Sequence, residues 1–76
     1  MTYILRDAKG VMKAKLSNVL AGQMLKHFDG RWVEKKYVSG KTRLAFVFSG
    51  DYSCGKVSTV GIEVFVWKDD YIVAED

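Results

Sequence analysis

The 76-residue sequence predicts an α+β fold: a small antiparallel sheet or open barrel, in the order ββαββββ, with one amphipathic helix packed on it. Two observations carry this prediction. β-Branched and aromatic residues fill nearly every position of residues 44–48 and 60–67, as is typical of strands covered on much of both faces. Between these dense strands and the N-terminal strands, the apolar period of residues 16–28 changes to three and four residues, which is typical of a helix.

The first two strands are predicted at residues 2–6 and 11–16. The Asp-Ala-Lys-Gly sequence between them favours a type I turn with Gly10 in the left-handed conformation. The side chains expected to face the core are Ile4, Met12, Ala14 and Leu16. Lys13 and Lys15 are then expected in solvent, where lysines protect an edge strand from pairing with another chain.

The helix is predicted at residues 18–28, with Ser17 as its N-cap and Gly30 as the left-handed residue after its end. The apolar positions that define it are Leu16, Val19, Leu20, Met24 and Phe28. The alternative is a β-hairpin that turns at Asp29 and Gly30, because Asp-Gly between apolar residues is a strong turn signal. The apolar stripe favours the helix.

Four further strands are expected after the helix. Residues 31–38 alternate as in a half-exposed strand, and a Ser-Gly-Lys turn leads into residues 44–48. We expect residues 44–48 to form a central antiparallel hairpin with residues 60–67, across a long exposed loop at 49–56 that is rich in turn formers. Residues 71–74 should pair back as a short last strand.

Length and composition predict a single β-rich domain, residues 1–76, with 49% hydrophobic and 28% charged residues. One cysteine cannot form an internal disulfide, and one cysteine with one histidine cannot build a structural zinc site, so we expect no metal and no cofactor. The longest uncharged stretch, residues 16–25, is too short to span a bilayer. No membrane segment is expected, and the lone Cys54 fits a reducing cytoplasm.

The sequence offers only weak catalytic signals. Residues 39–42 contain the Gly-Lys-Thr ending of a phosphate-binding loop, but Lys35 stands where that pattern needs glycine. Cys54 could act as a nucleophile only with His27, the single imidazole. A chain this small has little room for a substrate pocket beside its core, so we expect an exposed loop cysteine, a solvent-facing histidine and no enzyme.

Charge is unevenly distributed along the chain. Up to Arg43 there are ten lysines and arginines against three acidic residues, and after it two against six. The adjacent carboxylates at 69–70 and 75–76 are expected to be solvated. The acidic part favours a protein partner, because it would repel phosphate wherever the fold brings it near the basic part.

Residues 31–37 interleave aromatic and cationic residues, a pattern that suits a strand that stacks bases and neutralises phosphates. The candidate binding residues are Arg31, Trp32, Lys35, Lys36, Tyr37, Lys41, Lys13 and Lys15. The alternative is that Trp32 and Tyr37 are core residues beside solvated lysines.

Two functions remain open from the sequence. The first is a non-enzymatic nucleic-acid-binding module. The second is a small inhibitor or adaptor, of the kind encoded by phage-like mobile elements, that docks on a larger protein or nucleoprotein partner. Both need only a surface patch, which a short chain can supply.

Overall fold

The computed structural model describes the chain except for residues 1, 37–39, 51–52, 60–61 and 76, and for residues 53, 54, 59 and 62 it describes the backbone alone. The elements are β1 (Thr2–Arg6), β2 (Met12–Leu16), α1 (Asn18–His27), β3 (Gly30–Lys36), β4 (Thr42–Phe48), β5 (Ser53–Thr59), β6 (Ile62–Trp67) and β7 (Tyr71–Glu75). The predicted class, antiparallel strands with one helix, is confirmed. The described residues contain one strand more than predicted, β5.

The strands form two sheets. The five-stranded antiparallel sheet has the strand order β2, β1, β7, β4 and β3, and among the described strands β5 pairs only with β6. The predicted central hairpin between residues 44–48 and 60–67 is therefore wrong, because β4 lies between β3 and β7. The last strand, β7, lies in the middle of the sheet, where pairing with β1 and β4 satisfies its backbone on both edges.

The five-stranded sheet has two unlike faces. The helix and the β5–β6 hairpin pack on one of them, the covered face, and bury a core of Leu5, Leu16, Ala21, Met24, Phe46, Phe48, Val64, Val66 and Ile72. On the other, the open face, no described helix or strand packs, and its buried cluster contains sheet residues alone. The open face carries Ile4 and Arg6 of β1, Lys15 of β2, Arg31, Val33 and Lys35 of β3, Arg43, Ala45 and Val47 of β4, and Tyr71, Val73 and Glu75 of β7.

The first hairpin has the predicted turn but not all of the predicted facing. Gly10 has a φ of 89°, as expected, and β2 is an edge strand. Leu5, not Ile4, enters the core, and Met12 is half exposed. The register shifts between Leu5 and Arg6, so that Met12 pairs with Arg6 and leaves the core face.

The helix confirms the sequence prediction to within one residue. The Ser17 hydroxyl accepts a hydrogen bond from the Leu20 N–H at 3.1 Å, which caps the first turn. The chain leaves the helix through an extended Phe28, and Gly30 starts β3 instead of ending the helix in the left-handed conformation. Nowhere in the described chain is a helix long and apolar enough to cross a membrane.

Strand β5 replaces much of the predicted long loop. It begins at Ser53, so Cys54 belongs to a strand and the loop assignment is wrong. The register skips Cys54, since Ser53 pairs with Trp67 and Gly55 with Val66. Gly55 has a φ of 140°, and a Cβ there would lie 2.8 Å from the Phe28 ring. This turn-rich segment forms a strand because it pairs with β6. The apolar period of a sequence does not show such pairing.

Candidate nucleic-acid interface

The open face is strongly basic. Five cations project from it, and the described strand residues on the same face include a single carboxylate, Glu75. The cations are Arg6, Lys15, Arg31, Lys35 and Arg43. They lie on β1, β2, β3 and β4, and neighbouring strands lie about 4.8 Å apart, so from β3 to β2, at opposite edges of the sheet, the cations span roughly 19 Å.

Small apolar residues form the floor between these cations. Ala45 and Val73 pair directly across β4 and β7 and are almost completely buried, although no described element covers them. Their cover must come from neighbouring side chains. The Lys35 ammonium lies 4.8 Å from the centre of the Tyr71 ring, and Arg43 donates to the Ala74 carbonyl at 3.4 Å. The stems of these cations thus lie along the sheet while their charges remain at its surface.

The single acid of this face is already engaged. The Glu75 carboxylate accepts a hydrogen bond from Arg6 Nε at 2.9 Å, and Arg6 Nη1 donates to the Gly10 carbonyl at 2.9 Å. Burial raises the pKa of the Tyr71 phenol above its usual value of 10.0, and the Arg6 charge partly offsets this effect. Tyr71 is therefore a neutral hydroxyl at physiological pH, and the open face keeps a net positive charge.

Strand β3 divides the predicted binding residues between two faces. Arg31 and Lys35 lie on the open face, whereas Trp32 and Lys36 point to the other side. The Trp32 ring packs edge-on against Phe46, with 5.5 Å between ring centres, and remains 53% exposed. A strand of nucleic acid held by Arg31 and Lys35 would therefore lie on the opposite face of the sheet from this indole.

The other candidates also separate. Lys15 is exposed on the open face, and Lys41 is exposed in the β3–β4 connection. Tyr37 lies outside the described residues. Lys13 is not solvated as predicted, because its ammonium contacts the Asp70 carboxylate at 2.6 Å and the Phe65 carbonyl at 2.5 Å. Asp70, predicted to be solvated, is in fact buried.

Two open-face cations, Arg6 and Arg43, are absent from the sequence-based site. Arg43 of β4 pairs directly with Lys35, and Arg6 of β1 pairs with Tyr71 of the central strand β7. Their basic character was visible in the sequence, but their convergence depends on β7 separating β1 from β4. No local pattern shows that arrangement.

The described side chains show no metal-binding cluster of three or more histidines, cysteines and acids. His27 is exposed at the helix end, as predicted, and the side chain of Cys54 lies outside the described part of the chain. Comparison with protein-family models, with curated proteins and with solved structures gives no match to this chain. The surface chemistry of the chain is therefore what indicates its function.

Proposed function

We propose that this protein is a non-enzymatic nucleic-acid-binding module that contacts the phosphate backbone through its open face. The observation that supports this proposal is the net positive charge of that face, whose described strand residues include five cations and one carboxylate, and that carboxylate is already paired. Duplex DNA carries about one charge per 1.7 Å of its axis, so a face roughly 19 Å wide meets several phosphates at once.

The open face is suited to phosphates more than to bases. Its described aromatic residue, Tyr71, is 4% exposed and lies under the Lys35 ammonium, so it offers no ring surface for stacking. Base edges are usually read by side chains that enter a groove, whereas contacts to phosphate carry no sequence information. We therefore expect the open face to bind DNA and RNA with little dependence on sequence.

Charge reversal at exposed positions tests the proposal. Arg31 and Lys15 are exposed on the open face, and the double variant Arg31→Glu/Lys15→Glu removes two phosphate contacts. For single strands, the slope of log affinity against log salt should become smaller by about 1.4. The matched control is Lys26→Glu/Lys56→Glu, which changes the net charge equally at exposed positions on the helix and on β5.

Oligonucleotides of DNA and RNA should be titrated at several salt concentrations, with a melting curve for each variant. The proposal predicts weaker binding and a smaller slope for the open-face variant alone. Absence of binding to the wild-type protein in low salt, or an equal loss in the control variant, would show that the open face is not a nucleic-acid interface.

A second candidate function is the protein-binding inhibitor or adaptor. The feature that favours it is the free edge of β3, where Trp32 and Leu44 remain more than half exposed on neighbouring strands. An extended partner segment could add to this edge and place apolar side chains against both residues. A host protein that is recovered after nuclease treatment, is lost with Trp32→Lys and is retained with Arg31→Glu would favour this function over the first.

A further inference from the structure

A cleft lies at the end of the sheet where β1 turns into β2 and β6 turns into β7. Its volume is about 460 Å³, within the range of roughly 300–1,000 Å³ of small-molecule sites. It is lined by Asp7, Ala8, Lys9, Lys13, Trp67, Lys68 and Asp70. Trp67 is the aromatic wall of this cleft and is 49% exposed.

Internal hydrogen bonds hold both walls in place. The Asp7 carboxylate accepts from the backbone N–H groups of Lys9 and Val11 at 2.9 and 3.0 Å, which fixes the first turn. The Asp70 carboxylate accepts from the Trp67 N–H at 2.9 Å and from Lys13 at 2.6 Å, which fixes the second. The backbone that carries the indole is therefore positioned before any ligand arrives, and this reduces the cost of binding.

The charges that line the cleft nearly cancel. Lys13 and Asp70 neutralise each other, and the Asp7 carboxylate offsets one of the two remaining cations, Lys9 and Lys68, so the lining has a net charge of +1. A nearly neutral cleft with a half-exposed indole suits a flat, uncharged ring that has polar edges. A nucleobase has this chemistry, and stacking on an aromatic side chain is its usual mode of recognition in single strands.

The cleft adjoins one end of the open face. Asp7 and Asp70, which line the cleft, are the chain neighbours of Arg6 and Tyr71, and these two residues pair at that end of the open face. Arg6 also donates to the Gly10 carbonyl in the first turn. We propose that the cleft takes one unpaired base of a single strand, stacked on Trp67, while the open face holds the adjoining phosphates. This inference depends on the proposed function and adds to it the aromatic contact that the open face lacks.

Fluorescence of Trp67 can be isolated in a Trp32→Phe background, which leaves one tryptophan in the chain. Oligothymidylate should quench this fluorescence, whereas an abasic oligomer of the same length should bind with the same salt slope and leave the fluorescence unchanged. Trp67→Ala should lower the affinity for oligothymidylate roughly 5- to 140-fold and leave the salt slope unchanged. Affinity for duplex DNA should not change, because its bases are already stacked.

The control is Phe65→Ala, since Phe65 is equally exposed on the same strand but does not line the cleft. Trp67→Phe keeps an aromatic ring and should restore most of the affinity, and this separates stacking from damage to the fold. If oligonucleotides bind with the expected salt slope but Trp67→Ala matches the wild type, the cleft assignment is wrong and the open-face proposal stands. If thymidine monophosphate binds as tightly as the oligonucleotide, the cleft is a site for free nucleotides and the strand assignment is wrong.

Discussion

Among the ion pairs of the described residues, the one between Lys13 and Asp70 is the most buried and should stabilise the fold most. Asp70 is 3% exposed, and its carboxylate accepts hydrogen bonds from Lys13 at 2.6 Å and from the Trp67 N–H at 2.9 Å. The pair connects edge strand β2 with the turn that joins the small sheet to the large one. Substitution of Asp70 by alanine removes both hydrogen bonds and leaves the Lys13 ammonium without its carboxylate, in contact with the Phe65 carbonyl.

The expected loss is about 3 kcal/mol of unfolding free energy. Breaking a buried pair by removing one partner costs roughly 3–5 kcal/mol, and the lower end applies because the Lys13 side chain is 21% exposed and its ammonium can turn to solvent. A chain of this length has a total stability of roughly 4–11 kcal/mol. The same loss should lower the melting temperature by about 12–24 °C.

Urea unfolding followed by circular dichroism measures this loss, with Glu63→Ala as the control. Glu63 pairs with Lys56 at 3.1 Å, but both side chains are about half exposed, so this change should cost less than about 1 kcal/mol. In a double-mutant cycle, Asp70→Ala and Lys13→Met should be coupled by roughly 1–3 kcal/mol. A loss in Asp70→Ala no larger than in Glu63→Ala would refute the assignment of a buried, stabilising pair.

Three further outcomes are expected. Phe46→Ala should cost about 3–5 kcal/mol in urea unfolding, and Leu44→Ala, on the same face but exposed, well under half of that. Gly30→Ala should destabilise, because its Cβ would lie 2.6 Å from the Phe46 ring, whereas Gly22→Ala, with open space around it in the helix, should stabilise by roughly 0.5–1 kcal/mol. Burial raises the pKa of Tyr71, so the unfolded chain releases this proton first, and stability measured against pH should fall as the pH rises above about 10.

Features that depend on a few neighbouring residues were predictable from the sequence. Ser17 caps the helix through a hydroxyl that reaches a backbone N–H three residues ahead, and Gly10 adopts a positive φ that other residues rarely tolerate. Both effects are local, so the surrounding fold needs only to leave them undisturbed. The helix also prevailed over the alternative turn at Asp29 and Gly30, because most of its apolar stripe packs on the core. Val19, predicted to belong to that stripe, is 72% exposed instead.

Strand partners were not predictable in the same way. A period of two residues reports which side chains share a face, but it does not report which strand lies alongside. β4 and β6 both contain dense apolar sequence, yet β4 pairs with β3 and β7, and β6 pairs with a strand that contains few apolar residues. The exposed Phe65 shows that the apolar run of β6 is covered on one face only.

The candidate site could have been predicted better from the same alternation. Residues 31 and 32 are adjacent in a strand, so a cation and an aromatic at these positions must point to opposite faces. Interleaved aromatics and cations therefore describe two surfaces of a strand and not one. The environment of Lys13 was beyond prediction, because its partner lies 57 residues away in the sequence.

The acidic end of the chain at first argues against phosphate binding, since β7 lies in the middle of the basic sheet. Three carboxylates of this part of the chain are paired in the structure. Glu75 bonds to Arg6, Asp70 bonds to Lys13, and Glu63 bonds to Lys56 on the separate hairpin. An acidic strand can therefore lie among basic ones without making the face neutral, because alternation sends one carboxylate to the open face and an arginine on the next strand takes its charge. The sign of a surface in this fold follows from strand register and ion pairing, and the net charge of a sequence segment is a poor guide to it.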